Sequence, residues 1–232
     1  MPEFYDAEFG EIVVHKRRDS RSVRIRMGVN GRLVATAPVY TPLLFIRQVV
    51  NASRDELRKI SQHPGAPTVY GDGQAIGKSH SLAVVATSMV TEPITKINRQ
   101  KLLVYLPPNT SLESQEVQQR IRTTVIAILR KEAKARLPGR LKHLAATYGF
   151  SYSKIRFSHA SGRWGSCSSE GTISLNIALM KLPDELIDYV LIHELCHTRH
   201  MNHSDAFWRE VERYDPHFRL HKRQIKRETP SV

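Results

Sequence analysis

His193, Glu194 and His197 form an H-E-x-x-H pattern late in the chain. On an α-helix, residues four apart lie about 40° apart round the axis, so the two imidazoles can face one ion. Glu194 stands about 100° from His193, close enough to serve a water on that ion without ligating it. Two imidazoles, a free carboxylate beside them and an open coordination position are the parts of a zinc hydrolase. A third protein ligand is needed, and His200 and His203 compete for the place. On an unbroken helix His200 points the same way as His193 but lies about 10 Å further along the axis, too far to share the ion. His203 serves if the helix stops first, and the spacing favours it: Asn202 is a left-handed cap candidate and Ser204 can cap a following helix.

The elements that must position these groups are legible in outline. Ile187, Val190, Leu191 and Leu195 follow the spacing of a buried helical stripe, with Pro183 in the first turn and Asp184, Glu185 and Asp188 near the positive end. Before this helix, Ile155–Phe157 reads as a strand, and Arg163–Ser168, a turn at Ser169-Glu170-Gly171 and Thr172–Ile177 read as a hairpin. After it, Phe207, Val211 and Tyr214 repeat at helical spacing. Residues 111–149 are helical in pattern, kinked or split at Pro138-Gly139 and closed by Gly149.

The N-terminal part reads as strands with one helix. Ile12–Val14, Ser22–Met27 and Arg32–Thr36 are strand-like, the last two joined by a turn at Gly28–Gly31. A helix capped at Thr41-Pro42 runs to Ile60 and stops before His63–Pro67. Short strands follow around Val69-Tyr70, Leu82–Val85 and Leu102–Leu106, with turns at Asp72-Gly73 and Asn98-Arg99. The glycines of Gly71–Gly77 do not make a phosphate loop, because strand rather than helix follows them. With Pro107-Pro108 as a boundary, the expectation is an α+β chain. Residues 1–108 form a β-rich region, and residues 109–232 a zincin-like metallohydrolase domain.

With 232 residues the chain can bury a core, and no apolar stretch is long enough to span a membrane. Two cysteines, Cys167 and Cys196, make no disulfide framework and read as free buried thiols; they and the absence of a signal-peptide pattern lead to a cytoplasmic expectation. The net charge of +13 favours polyanionic partners, nucleic acid or nucleotide. Its clusters lie at Lys16–Arg26, Arg130–Lys142 and His221–Arg227. Few aromatics interleave with the first, so a solvated strand face is the simpler reading and phosphate binding the alternative.

Arg163-Trp164-Gly165-Ser166-Cys167-Ser168, His193-Glu194-Leu195-Cys196-His197 and Asn202-His203-Ser204 with Phe207-Trp208 together resemble the YgjP-like metal-dependent hydrolases, which are similar to the SprT-like zinc proteases. The resemblance is strongest over residues 110–232. It implies zinc on His193, His197 and His203, with Glu194 as the base, and an Arg-Trp-Gly-Ser-Cys block lining the site.

The leading expectation is therefore a metallopeptidase with one zinc ion and no organic cofactor, acting on protein or peptide. Arg163, His159, Tyr214 and His217 are candidate transition-state stabilisers, and Trp164 is expected as an apolar wall. Two other functions stay open: a metal-dependent UTP pyrophosphatase, and a non-catalytic basic nucleic-acid-binding module with structural zinc.

Overall fold

The computed structural model of the chain describes residues 3–27, 33–62, 69–160 and 162–232, which form an α+β arrangement of small sheets and helices. Two compact units emerge, Met1–Thr68 and Val69–Val232. The boundary expected at Pro107-Pro108 falls inside the second. Ile76, Leu82, Leu102, Val104 and Leu106 share one core with Val117, Ile121 and Ile128 of the helix that follows, so burial, not proline punctuation, assigns these strands. Among the described residues no helix is long and apolar enough to cross a membrane.

In the first unit, β1 (Glu3–Asp6), β2 (Gly10–Arg17), β3 (Arg24–Met27) and β4 (Leu33–Pro38) form a sheet of order β1-β2-β4-β3. β2 and β4 run parallel, and the other pairs are antiparallel. One face of the sheet, with Ile12, Val14, Leu33, Ala35 and Ala37, packs against Ile46, Val50 and Leu57. These last come from α1 (Leu43–Ala52) and α2 (Arg54–Gln62), two helices where one was expected. The break is Ser53, whose N–H reaches both Val49 O and Val50 O at φ −106°, ψ 16°. Pro42 is the cap of α1, not its first residue. The turn expected at 28–31 and the breaker at 63–67 lie outside the described residues.

The second unit opens with a sheet of order β5-β6-β8-β7, built from β5 (Ala75–Ile76), β6 (His80–Ala86), β7 (Ile94–Asn98) and β8 (Lys101–Leu106). Val69-Tyr70 is not a strand. The Tyr70 N–H donates to Gln118 Oε1, and the Tyr70 carbonyl accepts from Gln118 Nε2, so a side-chain amide satisfies the groups a strand neighbour would.

Gln118 belongs to α3 (Gln115–Tyr148), capped by the Ser114 side chain and ended by Gly149 at φ 68°. Pro138 does not split it. The carbonyl that the proline leaves unserved is that of Lys134, an exposed residue, where water can take the bond. The buried carboxylate of Glu132 on α3 accepts the N–H groups of Lys78 and Ser79 and lies 2.7 Å from His80 Nδ1. A Cβ on Gly77 would come 2.2 Å from that carboxylate, so only glycine fits.

A second sheet, of order β10-β11-β9, follows: β9 (Lys154–Ser158), β10 (Gly165–Cys167) and β11 (Thr172–Asn176). A buried 3₁₀ turn (Ile177–Lys181) leads to α4 (Asp184–Cys196), α5 (Asp205–Tyr214) and α6 (Phe218–Ile225).

Candidate metal centre

α4 carries His193 and Glu194 through the core, with Tyr189, Val190, Leu191, Ile192 and Leu195 all buried. Pro183 caps it, one position earlier than expected. The helix stops at Cys196, and the Arg199 and His200 N–H groups close the turn on Cys196 O. Asn202 is not the left-handed cap. Among the described residues the only non-glycines at positive φ are Arg99 and Asn109. The early stop still returns the chain, and Ser204 caps α5 by accepting the Phe207 N–H. His203 thus stands just before α5, facing α4.

Ligand atoms of His193, His197 and His203 all lie within 4.8 Å of one another. His203 Nε2 and His193 Nε2 are 3.1 Å apart. Two imidazoles about 2.0–2.1 Å from one tetrahedral ion would hold their nitrogens roughly 3.3–3.4 Å apart, so the pair fits a shared cation closely. Phe207 floors the group, its ring 4.9 Å from His193, 4.5 Å from His197 and 4.9 Å from His203. Trp208 stacks on the His203 ring at 5.4 Å, and Lys222 Nζ sits 3.5 Å over Trp208. His197 Nδ1 donates to His200 O at 3.0 Å, which leaves Nε2 with its lone pair for a metal. The His200 side chain is elsewhere, its Nε2 2.9 Å from Glu210 Oε2.

Burial pulls the His193 imidazole down to about 3, with His197, His203 and Lys222 adding to the effect, so it is neutral and ready to ligate. The Glu194 carboxyl is pushed the other way, up to about 8 by burial, against the pull of Arg163. Its Oε2 is buried without a hydrogen-bond partner among the described residues, as is His193 Nδ1. β10 crosses beside it: a Cβ on Gly165 would lie 2.6 Å from Glu194 Oε1. The segment leading into β10 is held by Asn176, wholly buried, whose Nδ2 donates to the carbonyls of Ala160 and Arg163.

The remaining sequence candidates scatter. Arg163 is exposed, with its charge felt at Glu194. His159 is half-buried. Burial lowers its pKa, and the neighbouring charges that add to this are Arg130 and Arg122 of α3. The Tyr214 ring packs on Tyr148 and Phe150 at 4.7 and 5.0 Å, and its hydroxyl accepts from Arg199. His217 is exposed, 6.3 Å from the His221 ring. Trp164 packs against the core. Cys196 is buried and its thiol is raised to about 12 by burial and Glu210, against Arg199. Cys167 is only half-buried.

Sequence reasoning missed His221, Asp215, Tyr189 and Lys222. His221 Nδ1 lies 2.8 Å from the buried Asp215 Oδ2, and the Tyr189 ring is 6.0 Å from His193 and 6.1 Å from His221. Tyr189 was findable, four residues before His193 on the same helix face. Lys222 and His221 sat inside a run read as a basic cluster.

No curated protein matches the chain. Among solved structures it is similar to the metallopeptidase zymogen abylysin of Pyrococcus abyssi. The two share 31% identity, the match covers 37% of this chain and 89% of that one, and the TM-score is 0.34. The YgjP-like, metallopeptidase domain family model matches residues 21–228, and the chain belongs to that family.

Proposed function

We propose that the chain is a zinc peptidase of zincin-like build, in which His193, His197 and His203 hold one Zn²⁺ and Glu194 is the general base. The observation that carries this reading is the convergence of three imidazoles beside a buried carboxylate with an uncommitted oxygen. Nitrogen donors suit zinc, whereas magnesium takes oxygen ligands, which disfavours the UTP pyrophosphatase alternative. A structural zinc site is closed by four protein ligands, and the group here has three among the described residues. When bound, the ion lowers the pKa of a coordinated water toward ~7 and polarises a carbonyl.

The chain's own residues do the rest. Glu194, in its carboxylate form, takes a proton from the attacking water and returns it to the leaving amine. Arg163, whose charge already reaches Glu194, is the preferred partner for the developing oxyanion. The Tyr214 hydroxyl is engaged elsewhere, by Arg199. β10 is the outer strand of its sheet and touches Glu194 through Gly165, so an extended peptide can add along its free edge.

The test is a peptide-library and casein digest, with UTP in parallel, on wild type and Glu194→Gln, with zinc measured on both. Expected are one zinc per chain in each protein, and peptide cleavage by wild type alone, abolished by chelator and restored by zinc. For Glu194→Gln the rate falls by ~10²–10⁴. Chelator-sensitive UTP cleavage with inert peptides overturns the proposal.

A further inference from the structure

The first unit holds a cleft of about 550 Å³ on the sheet face opposite its core, lined by His15, Arg17, Asp19, Arg21, Arg24 and Thr36 among others. Its floor is set by strand register. His15 pairs with Thr36 and Thr36 with Arg24, so three adjacent strands β2, β4 and β3 present one row of side chains. Their neighbours Val14 and Ala35 point the other way, into the core. The connection between β2 and β3 brings Asp19 and Arg21 to the same cleft.

Three guanidinium groups thus meet one carboxylate. Arg17, Arg21 and Arg24 have no ion-pair partner among the described residues. In the same unit Arg54 pairs with Asp6 and Glu8, and Arg58 with Glu8 and Asp55. The unit therefore pairs Arg54 and Arg58 of α2 and leaves the three cleft arginines without an ion pair among the described residues, Arg17 and Arg24 at a spacing that the strands fix. The arginines are exposed, as a solvated face requires, and the connection between β2 and β3 makes that face concave.

From this we infer that the cleft binds the phosphate backbone of a nucleic-acid strand. Guanidinium forks match phosphate oxygens. His15 is the single ring among the described lining residues and the cleft holds no Phe, Tyr or Trp, so contact is carried chiefly by the guanidinium groups on the backbone, with little sequence preference. The site lies in the first unit and does not depend on the metal centre.

The full-length chain is titrated with a fluorescein-labelled single-stranded oligonucleotide over a salt series, and separately with UTP and pyrophosphate. R17A/R21A/R24A is compared with R17K/R21K/R24K and with K131A/K134A/K142A, which removes equal charge from the exposed face of α3. All replaced residues are exposed, and melting curves verify the folds. The cleft alanine variant is expected to lose affinity at least about tenfold at ~50 mM salt, and its log K against log salt slope to shrink by about 2. The lysine variant keeps most of the binding, and the α3 variant changes it less than about threefold. Equal losses in the cleft and α3 alanine variants, or no oligonucleotide binding by wild type, overturn the inference. So does loss of UTP or pyrophosphate binding alone in the cleft variant, which would make this a small-phosphate pocket.

Discussion

The metal centre of the second unit and the arginine cleft of the first use charge in opposite ways. At the metal centre, polar groups are drawn out of water. In the metal-free chain burial holds His193 neutral and pushes the Glu194 carboxyl up to about 8. In the cleft the arginines stay exposed to water, and the sheet spaces Arg17 and Arg24. Desolvation tunes proton affinity, as covalent chemistry requires, and hydrated charge attracts at range and yields to salt. The difference teaches where each kind of function can be housed: reactivity against a buried helix, attraction on an open sheet face.

Three experiments break or sharpen that contrast. The largest effect is expected from His203→Ala, which should empty the site of zinc and bring peptidase activity to background while leaving oligonucleotide binding untouched. R17A/R21A/R24A should do the reverse, and zinc content, digestion and anisotropy on both proteins check this. Next is Gly165→Ala, whose methyl would overlap the Glu194 carboxylate. Zinc should stay, while kcat falls by ~10²-fold through displacement of the base; steady-state kinetics with metal analysis reads it.

The smallest effect concerns the metal-free protein. Glu194 is raised from 4.5 to about 8 in the fold. Between those values the folded chain keeps a proton that the unfolded chain has released, so stability falls as pH rises through the window. Glu194→Gln removes that loss. The metal-free variant should match wild type near pH 4 and melt a few °C higher at pH 8. A melting difference that does not change with pH would separate packing from ionisation.

The convergence of the three histidines was legible because two of them stand four residues apart at the end of one helix. The spacing of His193 and His197, the apolar stripe and the Ser204 cap needed only local geometry, and they led to His203. The role given to Asn202 failed because α4 stops at Cys196, six residues before it, and the stop is made by backbone bonds rather than by a special residue. The strand at Val69-Tyr70 failed because Gln118, distant in sequence, serves its backbone. The expected boundary failed likewise: Pro107-Pro108 is a local signal, and membership of a core is not. The Lys222–Trp208–His203 stack joins α6, α5 and the loop between α4 and α5, and no pattern within one element could disclose it.

α3 gives core residues along most of its length, from Val117 and Ile121 through Leu129 and Ala133 to Leu141 and Leu144. It touches strands of both sheets in its unit, and α4 as well. Neither sheet can open by itself while that rod remains seated. Amide exchange should therefore report the rod, β8 and β11 as one slow, cooperative block, with α4 tethered to it.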